Sequence, residues 1–319
     1  MPSFLKTLTL DLAVPLSGLI LLALYPSQQA FLAQIAITAI LVLSLDLVVG
    51  FAGLATLGHV AMFGAGAYAA GLYALHIWAE PLSGLLIGAA AGAVVAGLTA
   101  VMLMRTHGLT FLMMTVAITQ ILYEVVSKAR AVTGGDDGLY GIVMRPVLGV
   151  WEFDFLGRLA FWYSLVVLWI VFMVLRRLMQ TPFGQTVLAI RDDAGRVTSL
   201  GGNVYRHRVV LYTISGSIAG LAGALSAQTV QVVGLSSLSV TYSAEVLVML
   251  VLGGTGRLWG ALVGTVMFML IHHYTASIDP IRWMLFVGII LVAVVLFLPG
   301  GLTRGFDMIV SRLKGRVTT

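Results

Sequence analysis

The sequence predicts an all-α polytopic membrane protein, a bundle of about 8–10 transmembrane helices at about 20 apolar residues per crossing. Three observations carry that expectation. Hydrophobic residues make up 60% of the 319-residue chain and charged residues only 10%, whereas about a quarter of a soluble domain is charged. Apolar runs of membrane length recur between charges and Gly/Pro breaks, while a barrel would show alternating segments of about ten residues. Lys and Arg gather in a few loops, so the net charge of +5 reflects membrane topology and not nucleic-acid binding. The chain has no Cys, which excludes disulfides, thiolate metal sites and cysteine nucleophiles.

Ten runs qualify as crossings: 9–25, 30–49, 58–78, 82–104, 109–127, 159–178, 209–231, 237–252, 258–275 and 282–299. The first follows only Lys6 and lacks a small-residue cleavage site, so it reads as an uncleaved helix and not a signal peptide. The eighth is the shortest and holds Glu245, which points to a broken or tilted element. With the N-terminus inside, the inner loops hold 13 cations: Lys6, Arg105, the six arginines from Arg176 to Arg208, Arg257, Arg304, Arg312, Lys314 and Arg316. The outer loops hold five, Lys128, Arg130, Arg145, Arg158 and Arg282, which is the bias expected of a cytoplasmic inner side. An eight-helix arrangement with 58–78 and 237–252 as re-entrant pieces keeps the same sidedness. Residues 1–319 read as one transmembrane domain, with a cytoplasmic loop within 179–208 and an outer loop at about 129–158.

Motifs for catalysis are absent. The chain has no GxxxxGK[ST], HExxH or GxSxG, and the adjacent His272 and His273 point to different helix faces, which disfavours a shared metal. Ionisable residues within membrane runs are functional candidates because lipid penalises them. Here they are Asp46, His59 and Glu245, each of which either fixes packing through an interhelical hydrogen bond or lines a path. Gly53 and Gly64 in GFAGLATLGHVAMFGAGAY and Gly253 and Gly254 in LGGTGRLWGALVG lie beside them and share the same two readings. Gly84-Gly88-Gly92, Gly216-Gly220 and Gly260-Gly264 suit close helix contact. The outer loop carries Gly134, Gly135, Asp136, Asp137 and Gly138, then Trp151, Glu152, Phe153 and Asp154. It is either a solvated cap with a Gly-rich turn or a docking surface.

The long polar stretch, TPFGQTVLAIRDDAGRVTSLGGNVYRHR from Thr181 to Arg208, is amphipathic. Phe183, Val187 and Ile190 share one helical face, and Pro182 is placed to open the helix. A second short helix is expected from Ala194 or Arg196 to Gly201-Gly202. Two short helices across the inner face form a docking element for another protein, or an amphipathic surface on anionic lipid.

At these residues the chain resembles branched-chain amino acid ABC transporter permeases of the LivM type. GFAGLATLGHVAMFGAGAY, THGLTFLMMTVAITQILY, TGGDDGL and VLGGTGRLWGALVG are similar to further blocks of that family, in order, over roughly residues 40 to 270. The resemblance implies a bacterial inner-membrane, multi-pass half-pore with both termini cytoplasmic and no enzyme activity of its own. Implied partners are a LivH-like second permease, two cytoplasmic LivG/LivF-like ATPases that bind ATP and Mg, and a periplasmic substrate-binding protein. No cofactor is implied on this chain. The family's coupling helix would fall in the polar loop, matched by Phe183, Gly184, Ala189, Ile190, Arg191, Asp192, Asp193, Leu200, Gly201, Asn203 and Val204. Ala194, Gly195, Arg196 and Val197 depart from its pattern, which suggests a partner groove with matched changes. Implied cargo is branched-chain amino acids or related small solutes, since relatives resemble carriers of urea, short amides and aromatic acids. Competing readings are an ion-coupled secondary transporter using Asp46, His59 and Glu245, and an intramembrane enzyme using His59 and Glu245.

Overall fold

The computed structural model describes residues 28–146 and 157–278, with scattered positions nearer both ends. Apart from isolated positions, the expected runs 9–25 and 282–299 lie outside the described residues, as do Trp151, Glu152, Phe153 and Asp154. Among the described residues, six helical segments are long and apolar enough to cross a membrane. They are α1 (Gln29–Asp46, prolonged to Phe51), α3 (Pro81–Leu103), α4 (Gly108–Lys128), α5 (Arg158–Gln180), α8 (Val204–Val230) and α10 (Leu258–Ile278). Between them lie α2 (His59–His76), α6 (Pro182–Asp192), α7 (Ala194–Ser199) and α9 (Val240–Gly253).

The two runs that left the helix count open come out differently from each other. Run 58–78 is the single 18-residue helix α2, about 27 Å long at 1.5 Å per residue. Run 237–252 is broken. A 3-10 turn at Leu235–Leu238 precedes the 14-residue α9, which at about 21 Å is short of a full crossing.

Helix α1 has no Gly or Pro and is apolar on every side, so other helices must enclose it. They do: from Ile35 to Asp46 every residue is buried, with α5, α8 and α10 packed around it. The helix then widens into a π turn at Leu47–Phe51, where Ala52 N–H bonds the Leu47 carbonyl at 3.1 Å. Gly53 follows in the left-handed region at φ 71° and ends the element.

Lipid offers no hydrophobic drive for helix association, so close van der Waals packing and polar contacts must supply it. The α2–α3–α8 crossing shows how. A Cβ on Gly220 would meet the Gly88 carbonyl, one on Gly66 would meet Gly220, and one on Gly92 would meet the Gly216 carbonyl. Backbone touches backbone along this seam. A similar contact joins α9 to α10, where Gly253 lies against Gly260 and Gly264.

At the far end of the bundle from α6, the Gly-rich turn folds onto the helices. Gly134, Gly135, Gly138 and Gly141 all have positive φ. Thr133 Oγ1 donates to the Val126 carbonyl at 2.6 Å, and Leu139 and Val233 exchange two backbone bonds of 2.9 and 3.1 Å. Leu139, Ile142 and Met144 are buried with Tyr68 and Leu238. Asp136 and Asp137 point outward. The Ser127 hydroxyl donates to Asp136 at 2.6 Å and, with Arg130, holds its carboxyl below the usual carboxylate range.

Candidate functional site

The polar loop forms an elbow whose three helices each start on a capping side chain. Thr181 Oγ1 accepts from Gly184 N–H with Pro182 next to it, Asp193 accepts from Arg196 N–H at 2.9 Å, and Asn203 accepts from Arg206 N–H at 3.0 Å. Asp193 and Asn203 therefore set the bends of the elbow. The inward face of α6 buries Gly184, Val187 and Ile190, with Val187 against Ala52 and Leu211. Phe183 stacks on His207 of α8 at 5.6 Å. A Cβ on Gly184 would run into Leu178 and Met179, so this glycine lets α6 turn tightly under α5. The outward face leaves Ala189, Asp192, Asp193, Gly201 and Leu200 exposed, Leu200 by 85%.

Arg191 is exposed as well, but its guanidinium reaches back into the bundle. Its Nη1 donates to the Gly50 carbonyl in the π turn at 2.5 Å, across 141 residues of sequence. A Cβ on Gly53 would lie 3.2 Å from the Arg191 Cγ, and one on Gly256 would lie 3.1 Å from its Nη1. At the same spot Asp46 Oδ1 accepts from Gly256 N–H at 2.7 Å, which fastens the end of α1 to the loop before α10. Asp46 is wholly buried, its Oδ2 has no hydrogen bond among the described residues, and Arg191 lies within electrostatic reach. One node thus joins α6, the π turn and the α9–α10 loop. Wide helical turns of this kind occur often at functional sites.

His59 occupies a separate, fully buried network. Its Nε2 is 3.0 Å from both Ser44 Oγ and Ser215 Oγ. Each hydroxyl has one proton and both are committed, Ser44 to the Leu41 carbonyl and Ser215 to the Ser44 carbonyl. The ring proton therefore sits on Nε2 and donates to the serines, tying α1, α2 and α8 together. His59→Ala should leave a cavity and destabilise the fold by on the order of 3 kcal/mol, read as lower thermal stability in detergent. An equally stable variant that fails only in transport would place His59 in a path instead.

Of the remaining residues singled out from sequence, Gly64 packs against Leu238 and Ser237, Gly253 against Gly260, and Gly254 turns the chain at φ 106°. Glu245 is half-buried on α9. The structure brings together Asp46, Gly53 and Arg191, puts His59 about one turn away through Ser44, and leaves Glu245 and Gly64 apart. Sequence reasoning gave Ser44 and Ser215 no site role, and named Gly50 and Gly256 only as members of two glycine clusters that could shape a path. A Gly in each of two glycine clusters flanking polar residues was the only available signal.

Long apolar helices wrapped on a buried central helix, with an amphipathic elbow pinned to one end, define a multi-pass membrane protein. A family profile described as branched-chain amino acid transport system, permease component, matches residues 28–295. The chain belongs to that family, whose members are permeases and not enzymes. It is 29% identical over 289 residues to the high-affinity branched-chain amino acid permease LivM of Salmonella typhimurium, covering 82% of this chain and 67% of that one. The Escherichia coli LivM matches at 28% over the same shares. A probable LivM of Methanocaldococcus jannaschii is 25% identical over 56% of each chain. No solved structure matches.

Proposed function

We propose that this chain is one membrane half of an ATP-driven ABC importer for branched-chain amino acids or related small solutes. It would pair with a second, LivH-like permease, two cytoplasmic LivG/LivF-like ATPases holding ATP and Mg, and a periplasmic binding protein. No cofactor would be bound by this chain. The observation that carries the reading is the two-faced elbow: one face is locked into the bundle, and the other presents Ala189, Asp192, Asp193 and Leu200 to a partner. The exposed face carries charges of both signs, Arg196 paired with Asp193, together with the apolar Leu200 at the other end of α7, a mixture suited to a protein groove. The LivM relatives' names supply the solute class.

In this reading the elbow lies on the cytoplasmic side of a bacterial inner membrane, with both termini cytoplasmic, as the cluster of arginines favours. ATP closing the partner dimer moves the elbow as a lever, and the Arg191 node passes that movement to α1 and α10. The bundle then switches between two packings, biased by differential binding. An ion-coupled carrier finds less support, because Asp46 and His59 are both engaged in hydrogen bonds that fix helices.

Gentle purification of the tagged chain from native membranes, followed by mass spectrometry, tests the assembly. Recovery of a second permease with ABC ATPases is the expected result. A solitary chain active in ATP-free vesicles would overturn it.

A further inference from the structure

Asp46 is held at one oxygen and bare at the other. It is the one carboxylate among the fully buried side chains described. Its Oδ1 accepts from the Gly256 N–H at 2.7 Å, and the backbone N–H of Arg257 acts on the same carboxyl. These two N–H groups immediately precede the 21-residue α10, so the carboxylate sits at the positive end of that helix's dipole. That end and the Arg191 guanidinium both favour its charged form. Oδ2, however, is sealed from solvent and has no hydrogen-bond partner among the described residues. A buried charge short of partners is costly, so this oxygen calls for a donor.

Arg191 is the cationic side chain within electrostatic reach of it. The two groups meet across two glycines. An added Cβ on Gly50 would fall on Asp46 Oδ1 and on the Gly256 N, and one on Gly256 would lie 3.1 Å from Arg191 Nη1 and 3.2 Å from the Gly50 carbonyl oxygen. Glycine at both positions leaves no side chain of theirs between guanidinium and carboxylate. Arg191 gives Nη1 to the Gly50 carbonyl, and the guanidinium carries further N–H donors besides. It is carried on α6, the part of the elbow that faces a partner, whereas Asp46 is fastened to the loop before α10. A small slide of α6 across the end of the bundle is enough for so long a side chain to change acceptor.

We propose that Asp46 is a positioning residue of the transport cycle: when the ATPases close and drive the elbow, the Arg191 guanidinium passes from the Gly50 carbonyl to the bare oxygen of Asp46. This rests on the importer reading above. In the present structure the elbow grips the π turn of α1. After the exchange it grips α10 as well, through Asp46 and Gly256. A bond between two charged groups is stronger than one to a neutral carbonyl, so the exchange favours the second packing over the first.

Asp46→Asn separates this role from the tie to Gly256. Asparagine keeps an oxygen for the Gly256 N–H and offers Arg191 a neutral amide instead of a charge. Variant and parent are each compared in the assembled transporter, in proteoliposomes for leucine uptake and ATP hydrolysis and in detergent for thermal stability. Uptake per ATP should fall about tenfold or more, the size of a lost hydrogen bond between charged groups. Thermal stability should fall in the vanadate-trapped protein and not in the nucleotide-free one, a difference that a merely structural tie would not produce. An equal loss in both states, or uptake per ATP like that of the parent, overturns the proposal. If Asp46→Asn fails to assemble, Arg191→Lys and Arg191→Gln on the exposed elbow decide instead. An ion pair requires Lys to retain more of the trapped-state stability than Gln, and equal values overturn it. The parent protein separates the two readings: ATP-driven uptake with an indifferent Asp46→Asn sinks only the exchange, while uptake by the parent without ATP sinks the importer reading itself.

Discussion

An Arg191→Ala variant should assemble with its ATPases and hydrolyse ATP, yet lose most of its uptake. The guanidinium reaches back from the elbow to the Gly50 carbonyl, beside the carboxylate that holds the α9–α10 loop. A hydrogen bond to a charged group is worth about 1.5–3 kcal/mol, and tenfold in a rate or equilibrium is about 1.4 kcal/mol. Losing the contact should therefore reduce uptake per ATP by about tenfold to hundredfold. Arg191→Lys keeps the charge but not the planar fork, and should fall between the two. Arg191→Glu should be worse than Ala, because it sets a second carboxylate against Asp46 and the Gly50 carbonyl. ATPase activity and uptake, measured side by side in proteoliposomes, decide the matter. Unchanged uptake by Arg191→Ala would remove the residue from transmission, and loss of both activities would make it an ATPase contact.

Gly220→Val should be among the most destabilising single changes in the chain. The position of an added Cβ on Gly220 is held by the Gly88 carbonyl, with the Gly92 Cα and N at 2.8 and 2.9 Å. These are backbone atoms of another helix, so no side chain can rotate aside, and α3 and α8 would have to separate. Overpacking typically costs about 1–3 kcal/mol, and a contact made of backbone alone should lie at or beyond the top of that range. Helices held by packing and not by the hydrophobic effect have little else to replace it. The comparison is Gly97→Ala on α3, where the new Cβ would meet only Thr213 at 3.6 and 3.8 Å. That change should be neutral or slightly stabilising, since Ala favours helix over Gly by about 1 kcal/mol. Thermal stability of the detergent-solubilised protein reads both. Equal stability of the two variants would mean that the seam yields more easily than its geometry allows.

Much of the architecture was legible because membranes constrain sequences strongly. Length and apolarity announced α1, α3, α4, α5, α8 and α10, since a crossing helix must satisfy its own backbone and present carbon to lipid. The elbow was legible from Pro182, the Phe183–Val187–Ile190 face and the Gly201-Gly202 stop, and α6 and α7 fall where these signals put them. The shortness of run 237–252 matches the 14-residue α9, whereas Glu245 marks no break: it lies inside that continuous helix, and the interruption falls before it at Ser239. Small-residue spacing pointed to the seam, although not to which glycine meets which.

Other features depend on contacts that no local signal encodes. Arg191 lies on the elbow in sequence, and its spacing beside Ile190 and Asp192 did not reveal whether it turns outward or into the bundle. Its acceptor is a backbone carbonyl 141 residues away, and every residue type has one. His59 and Ser215 are 156 residues apart, and only the crossing of α2 and α8 makes them partners.

The sequence by itself determined that the chain is a helical membrane bundle with one amphipathic elbow, because hydrocarbon permits few spanning structures and periodicity reports them directly. Only the tertiary structure decided what each polar residue inside that bundle faces. Asp46 and His59 became fixed internal ties, because the helix crossings, set by backbone contact at the glycine seam, determine which polar groups meet.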